Sequence, residues 1–288
     1  MLGSMTSPMD ADRLHRALIR GGSRTYYNAS LLFPKAVRRD VFTLYAFVRV
    51  ADNLVDDQPV HPEEFLAFRS RWRAAQDGTP AGDAVIDPFV ELSRRKGFDP
   101  RWTEDFLGVM EGDLDGRPCE NLADVLRYTW GSAEVIGLFM VRVLGLPDDA
   151  KPSACLLGRS LQFINFLRDV AEDHSMGRRY LPLEGALPDL SPQTAHDNPE
   201  AFRSFLRGWA AVCRQWQEGG RRGYHYLPWR CRLAVKTASD LYNWTAGQIE
   251  KEPMDVWKHK IKPSRVRFLA TALGNLISLP FRGKEDKA

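Results

Sequence analysis

The chain has 288 residues, 44% hydrophobic and 27% charged, with 40 Lys and Arg against 37 Asp and Glu for a formal net charge of +3. This is an ordinary soluble balance with enough apolar material for a sizeable core. It lacks the clustered basic stripe of a nucleic-acid binder and any apolar run long enough to span a bilayer.

The opening segment MLGSMTSPMDADR carries acid early and no apolar signal core, so the expected location is the cytoplasm. Residues 10–19 follow a helical pattern that Gly21-Gly22 ends, and GSRTYYNASLLFP then runs to a stop at Pro34. Residues 35–56 form a long apolar-periodic stretch dominated by Val41, Leu44, Tyr45, Phe47 and Val48. It is predicted as a buried helix with Asp52 and Asp56 in its C-terminal part. Further helices are predicted over 61–75, ended by Asp77-Gly78, over 83–96, closed by Gly97, and over 99–113, opened by Asp99-Pro100. Asp115-Gly116 with Pro118 is a turn.

Residues 121–144 read as one helix with Gly131, Ser132, Ala133 and Gly137 inside it, and 153–173 as another. The stretch 177–198 is the richest in loops, with Pro182, Pro188 and Pro192. Helices over 199–219, 227–250 and 266–276 complete the set. Strand-like alternation and internal repeats are absent. The expected fold class is all-α, as one domain over 1–288 with a core of 15–270 and flexible ends at 1–9 and 282–288. Cys119, Cys155, Cys213 and Cys231 are far apart with no CxxC pair, so they read as reduced thiols rather than a zinc site or disulfide frame.

Two acidic elements stand out. RVADNLVDD places Arg49, Asp52 and Asp56 on one helical face, with Asp57 adjacent. QFINFLRDVAEDHSMGRRYLP, residues 162–182, does the same with Gln162, Asn165, Asp169 and Asp173, with Arg168 and Glu172 beside them. Phe163, Ile164, Phe166 and Leu167 cover much of the remaining circumference, so this helix is predicted to be buried. Burying carboxylates without partners is very costly. An arginine, a metal ion or both must therefore face Asp169 and Asp173.

A lone Asp-x-x-x-Asp is ordinarily a solvated helix face. Two of them, each in apolar company and each beside an arginine, favour metal binding. Carboxylates with amide oxygens nearby suit Mg²⁺ or Mn²⁺ rather than Zn²⁺, and Mg²⁺ typically keeps positions for water and substrate phosphates. Arg178 and Arg179 are candidates for diphosphate oxygens, against ordinary loop arginines. Gln162 and Asn165 are candidates for substrate or metal-water contacts, against a closed hydrogen-bond network.

The 162–182 stretch resembles the Q-x-x-N-x-x-R-D-x-x-x-D-x-x-x-G-R-x-Y-x-P block of the squalene/phytoene synthases. RVADNLVDD resembles that family's first aspartate-rich motif, LYAFVR its L-Y-A-F-C-R, and SRTYY its S-K-S-F-Y segment. YTWGSAEVIG, residues 128–137, is similar to its Y-C-Y-x-V-A-G-x-V-G, and the likeness continues through Leu241-Tyr242 and 256–267. The resemblance implies an isoprenoid synthase fold of helices around one deep apolar cavity. It implies Mg²⁺-dependent head-to-head joining of two allylic prenyl diphosphates through a cyclopropylmethyl diphosphate.

In that scheme Asp52, Asp56, Asp169 and Asp173 hold metal, while Arg49 and Tyr180 assist at the diphosphate. Tyr26, Tyr128, Gln162 and Asn165 line the reaction chamber, and Ser23, Arg24, Arg168, Arg178 and Tyr242 meet diphosphate oxygens. The small residues Gly131, Ser132, Ala133 and Gly137 either leave room for a long apolar chain or let helices pack closely. Aromatic faces stabilise cations, and a carbocation needs a dry site.

There are departures from the family pattern. Glu134 stands where a small glycine is usual and is expected to pair with an arginine or point to another helix; Trp130 replaces a tyrosine and Ile164 a frequent threonine. Near His259 the family often has an arginine on diphosphate, where this chain offers Lys258, His259 and Lys260. RDVAED…GRRYLP is closest to the phytoene-type block, so the expected substrate is the C20 geranylgeranyl diphosphate and the expected product phytoene. The alternative is a C15-using squalene, presqualene or dehydrosqualene synthase; NADPH is expected only for a squalene-forming enzyme. A non-catalytic assembly homologue would have lost the aspartates, and all four are present. A cyclase or trans-prenyltransferase of similar fold would carry D-D-x-x-D motifs in other surroundings. The 269–281 stretch is read first as a last core helix with a basic tail, with peripheral contact to anionic lipid as the alternative.

Overall fold

The computed structural model describes residues 8–56, 61–116, 118–183 and 185–278, with backbone only for Pro8 and Met9. Asp57 and residues 279–288 lie outside that range. Every regular element among the described residues is helical. The first six helices are α1 (Pro8–Gly22), α2 (Arg24–Ser30), α3 (Lys35–Asp56), α4 (Pro62–Gln76), α5 (Ile86–Lys96) and α6 (Pro100–Asp113). There follow α7 (Leu122–Thr129), α8 (Val135–Val143), α9 (Lys151–Arg168) and α10 (Val170–Ser175). The last four are α11 (Pro192–Asp197), α12 (Pro199–Arg221), α13 (Trp229–Lys251) and α14 (Arg265–Ser278).

The long apolar stretch of α3 forms with the predicted ends. Three expectations need correction. The segment read as a run to Pro34 contains α2, because the Ser23 hydroxyl accepts from the Tyr26 N–H at 3.3 Å and caps a helix start. The predicted 121–144 helix is interrupted by a π turn at Trp130–Glu134. The predicted 153–173 helix breaks at Asp169, whose backbone leaves helical geometry at φ −101°, ψ 14°.

The break has a chemical reason. Neighbouring residues in a helix point about 100° apart and cannot face each other. Arg168 nevertheless holds Asp169 with two bonds, Nε to Oδ1 at 2.9 Å and Nη2 to Oδ2, which the unwound residue permits.

The core falls into two main clusters. One is built by α3, α4, α5, α6 and α8 around Phe47, whose ring stacks on Phe89 at 3.8 Å and lies 5.2 Å from Phe68. The other gathers α9, α12 and α13 around Phe163, 5.1 Å from Trp209 and 5.2 Å from Trp216. Phe47 and Phe163 are fully buried, each contributing about 1.5–3 kcal/mol by removal from water.

The small residues of the π turn serve packing. A Cβ on Gly131 would stand 2.3 Å from Val109 Cγ2, one on Gly137 2.5 Å from the Ala154 carbonyl, and one on Gly158 2.4 Å from the Ala133 carbonyl. At Gly131 and Gly137 the close-packing reading therefore replaces that of space for a substrate chain.

Candidate active site

The aspartates lie along the seam between the two clusters. Asp52 and Asp56 sit on α3, which faces the first cluster, while Asp169 immediately precedes α10 and Asp173 lies within it, beside the second. Arg178 closes the seam across 122 residues of sequence, binding the Asp56 carboxylate and donating to the Val55 carbonyl at 2.8 Å. Arg49 pairs with Asp52 one turn along α3. Lys260 reaches over from the chain before α14, 3.2 Å from Asp169 Oδ1, and also pairs with Glu172.

Burial and mutual repulsion act on the carboxylates. Asp52 is pushed up to about 6, first by loss of water and then by Asp56, with Arg49 and Arg178 opposing. Asp173 is pushed up to about 8 by burial, then by Asp169 and Glu172, with Arg178 opposing and Asp56 adding to the rise. Both carboxylates thus keep their protons well above the ordinary range.

Sequence reasoning missed a fifth aspartate. Asp113, the last residue of α6, accepts from the Tyr128 hydroxyl at 2.7 Å and the Tyr180 hydroxyl at 3.3 Å. Burial raises it to about 7, while Tyr128 and Arg178 pull it down. The two tyrosine rings stand 4.8 Å apart, and Tyr180 stacks on Phe166 at 4.7 Å. The signal available in the sequence was one Asp before a turn, which is indistinguishable from a helix end. Tyr45 reads in the sequence as one of the apolar residues of α3 and as part of LYAFVR, with no site role. Its hydroxyl and Arg49 both crowd Gly22, where a Cβ would meet them at 2.4 and 3.1 Å, and Arg49 and Asp52 act electrostatically on it.

Tyr26 and Tyr242 stack at 5.6 Å, and both Tyr242 and Arg168 act electrostatically on the buried Tyr26 hydroxyl. Asn165 donates to Gln162 Oε1 at 3.3 Å, yet the buried Asn165 Oδ1 has no partner. Asp113, Asp173, Arg178, Tyr128 and Tyr180 thus gather at one part of the seam; Arg49, Asp52, Tyr45, Tyr26, Tyr242, Arg168 and Asp169 gather at the other. A cavity of about 290 Å³ opens beside Phe166, Val170, Asp173, Arg178 and Tyr180.

Other candidates stand apart or are otherwise engaged. The Ser23 hydroxyl caps α2, and Arg24 is exposed with no ion pair among the described residues. Arg179 is a strut: it donates to the Cys119 carbonyl at 2.9 Å, the Leu181 carbonyl at 3.2 Å and Glu120 at 2.9 Å. Glu134 pairs with Arg159 through two bonds, 2.8 and 3.0 Å. Trp130 is exposed and donates to Asp105 at 2.8 Å.

The donor set of carboxylates with an unpartnered amide oxygen suits a hard divalent cation. As arranged here, arginines occupy Asp52, Asp56 and Asp169, and no three His, Cys, Asp or Glu among the described residues converge closely enough to hold a metal ion.

The chain superposes on a crystal structure of a dehydrosqualene synthase in complex with ligand with a TM-score of 0.82 at 21% identity, covering 93% of this chain and 96% of that one. A squalene synthase from Alicyclobacillus acidocaldarius gives 0.76 at 19% identity, covering 85% and 94%. The fold is thus the all-α squalene synthase fold. The sequence pattern of the squalene/phytoene synthase family matches residues 19–267, and the chain belongs to that family. It is a prenyltransferase.

Among its relatives, a phytoene synthase of Pseudescherichia vulneris is 30% identical over 275 residues, covering 89% of each chain. A 15-cis-phytoene synthase of Paracoccus sp. (strain N81106 / MBIC 01143) is 30% identical over 267 residues, covering 86% of this chain and 84% of that one.

Proposed function

We propose that the protein joins two molecules of geranylgeranyl diphosphate head to head to make phytoene, by way of a cyclopropylmethyl diphosphate and with Mg²⁺. The observation that carries this reading is the seam itself: two aspartate pairs facing each other across Arg178, with aromatic side chains alongside. The similarity to phytoene synthases over most of the chain supports the C20 substrate.

A bound divalent cation at the aspartates would screen their repulsion and neutralise a diphosphate as it leaves. The chain's own groups do the rest. Arg49, Arg168, Arg178 and Lys260 are positive charges already at the seam, available to diphosphate oxygens when their carboxylates bind metal. Tyr242, stacked on Tyr26 near Arg168, would bond a diphosphate oxygen. The faces of Tyr128, Tyr180 and Phe166 stabilise positive charge on an allylic carbon and help keep water out. Asn165 Oδ1, buried and unpartnered, is available to substrate or to a metal-bound water.

The test is to incubate the purified protein with Mg²⁺ and C15 or C20 prenyl diphosphate, with and without NADPH, and to analyse the extracted hydrocarbon. The expected product is C40, formed without reductant. A C30 product would assign the C15 alternative, and no turnover of either substrate would remove the enzymatic reading in favour of an assembly role. Asp52→Ala and Asp169→Ala are each expected to lower turnover by at least about a thousandfold with unchanged helical content, since each removes a group acting on the leaving diphosphate. Activity within a few-fold of the parent would remove the metal-site argument.

A further inference from the structure

The last described helix is amphipathic the wrong way round for a soluble core. A surface helix ordinarily turns its apolar face inward and its polar face to water. α14 docks on α13 through a polar network: Asn275, 5% exposed, donates to Asp240 at 2.9 Å and Thr237 at 3.3 Å and accepts from Lys236 Nζ at 2.7 Å. Arg267 lies over the Trp244 ring at 4.8 Å. The apolar face points outward, with Val266 76%, Leu269 65%, Leu273 58% and Ile277 73% exposed. Their spacing puts them in one stripe along the helix.

We infer that this stripe is the protein's docking surface for an anionic lipid bilayer, on which α14 lies in the plane of the headgroups. The charge around it selects that occupant. From 256 to 278 the described chain has no Asp or Glu, while Lys258, Lys260, Lys262, Arg265 and Arg267 are all basic. Lys258 and Lys260 are engaged with Asp255 and with Asp169 and Glu172, leaving Lys262 and Arg265 on the approach to the helix.

An apolar stripe approached by basic side chains matches acyl chains beneath negative headgroups. A second copy of the same face would bring like charges together. No helix among the described residues is long and apolar enough to cross a membrane, so the contact is interfacial. Lys260 reaches the aspartate seam five residues before α14 begins, so the membrane face and the site entrance share one stretch of chain. The proposal draws on the proposed function only for its purpose, the delivery of an insoluble hydrocarbon. The exposure of Leu269 and Leu273 replaces the reading of this stretch as a last core helix.

The full chain is mixed with phosphatidylcholine vesicles, with and without phosphatidylglycerol, and the bound fraction is measured by flotation. Binding is expected only when the anionic lipid is present, and to weaken with salt. L269Q/L273Q is expected to lose it, and Arg265→Glu to weaken it by about fivefold or more. Because these side chains are exposed, helical content and melting temperature should match the parent, which separates lost binding from lost folding. The assay contains no prenyl substrate, so its outcome is independent of which reaction the site performs. Absence of binding to anionic vesicles, or undiminished binding by L269Q/L273Q, would overturn the inference. So would a parent dimer in solution that L269Q/L273Q makes monomeric, since the stripe would then be covered by a second copy.

Discussion

Asp113 holds two hydroxyls at once, and no other seam residue among the described ones does. Tyr128 and Tyr180 both donate to it, and it feels Arg178, Asp56 and Asp52 through space. A buried polar network of this kind fixes its members more firmly than any one bond would. Asn at this position keeps the shape but offers one acceptor oxygen in place of two. Asp113→Asn is therefore expected to lower turnover by about ten- to a hundredfold while leaving helical content unchanged, through misplacement of the tyrosine rings. Parent-like turnover would reduce Asp113 to a helix end. The four paired aspartates were legible because their spacing repeats and their neighbours are apolar. Asp113 was not, because what marks it is two tyrosines from other parts of the chain. For Arg178 the sequence supplies a diphosphate candidate in the GRRYLP block, but not its partner Asp56, which lies 122 residues away.

Helices as units were read more accurately than the interruptions within them. The ends of α3 follow from apolar period alone, since nothing in that stretch competes with helix. The π turn between α7 and α8 leaves no such trace, because Gly131-Ser132 weakens a helix without specifying how it is interrupted. What accompanies it is tertiary: Gly131 against α6, Ala133 against Gly158 of α9, and Glu134 turned to Arg159. Glu134 is 3% exposed, and the Arg159 guanidinium also lies over Trp216 at 5.4 Å. Removing one partner of such a pair leaves the other charge buried and uncompensated. Glu134→Met is expected to destabilise the fold by about 3 kcal/mol, and Glu134→Met with Arg159→Leu to recover most of that loss. Denaturant unfolding of the three proteins checks it. If the double variant is as unstable as the single one, the pair is not what holds α9 to the turn.

At the scale of the molecule, the acidic seam joins two apolar clusters that are each closed on themselves. Asp52 at about 6, Asp113 at about 7 and Asp173 at about 8 all lie above the ordinary carboxylate value. In the folded chain they keep protons that the unfolded chain has already released. The stability they contribute is complete below about pH 4 and is lost as pH rises through their folded values. His15 acts with the opposite sign: burial lowers it, so its contribution is present above its ordinary value and lost as pH falls. It lies away from the seam, bonded to the Ala84 carbonyl and the Thr43 hydroxyl, and so cancels when the same pH is compared with and without metal. A divalent cation favours the ionised carboxylates and must displace protons to bind at low pH. Mg²⁺ is therefore expected to raise the melting temperature more at pH 8 than at pH 6, relative to protein held in chelator. In D52N/D173N that difference should largely disappear. Equal gains at both pH values in the parent would mean that Mg²⁺ binds away from the seam, or that these carboxylates are already ionised in its absence.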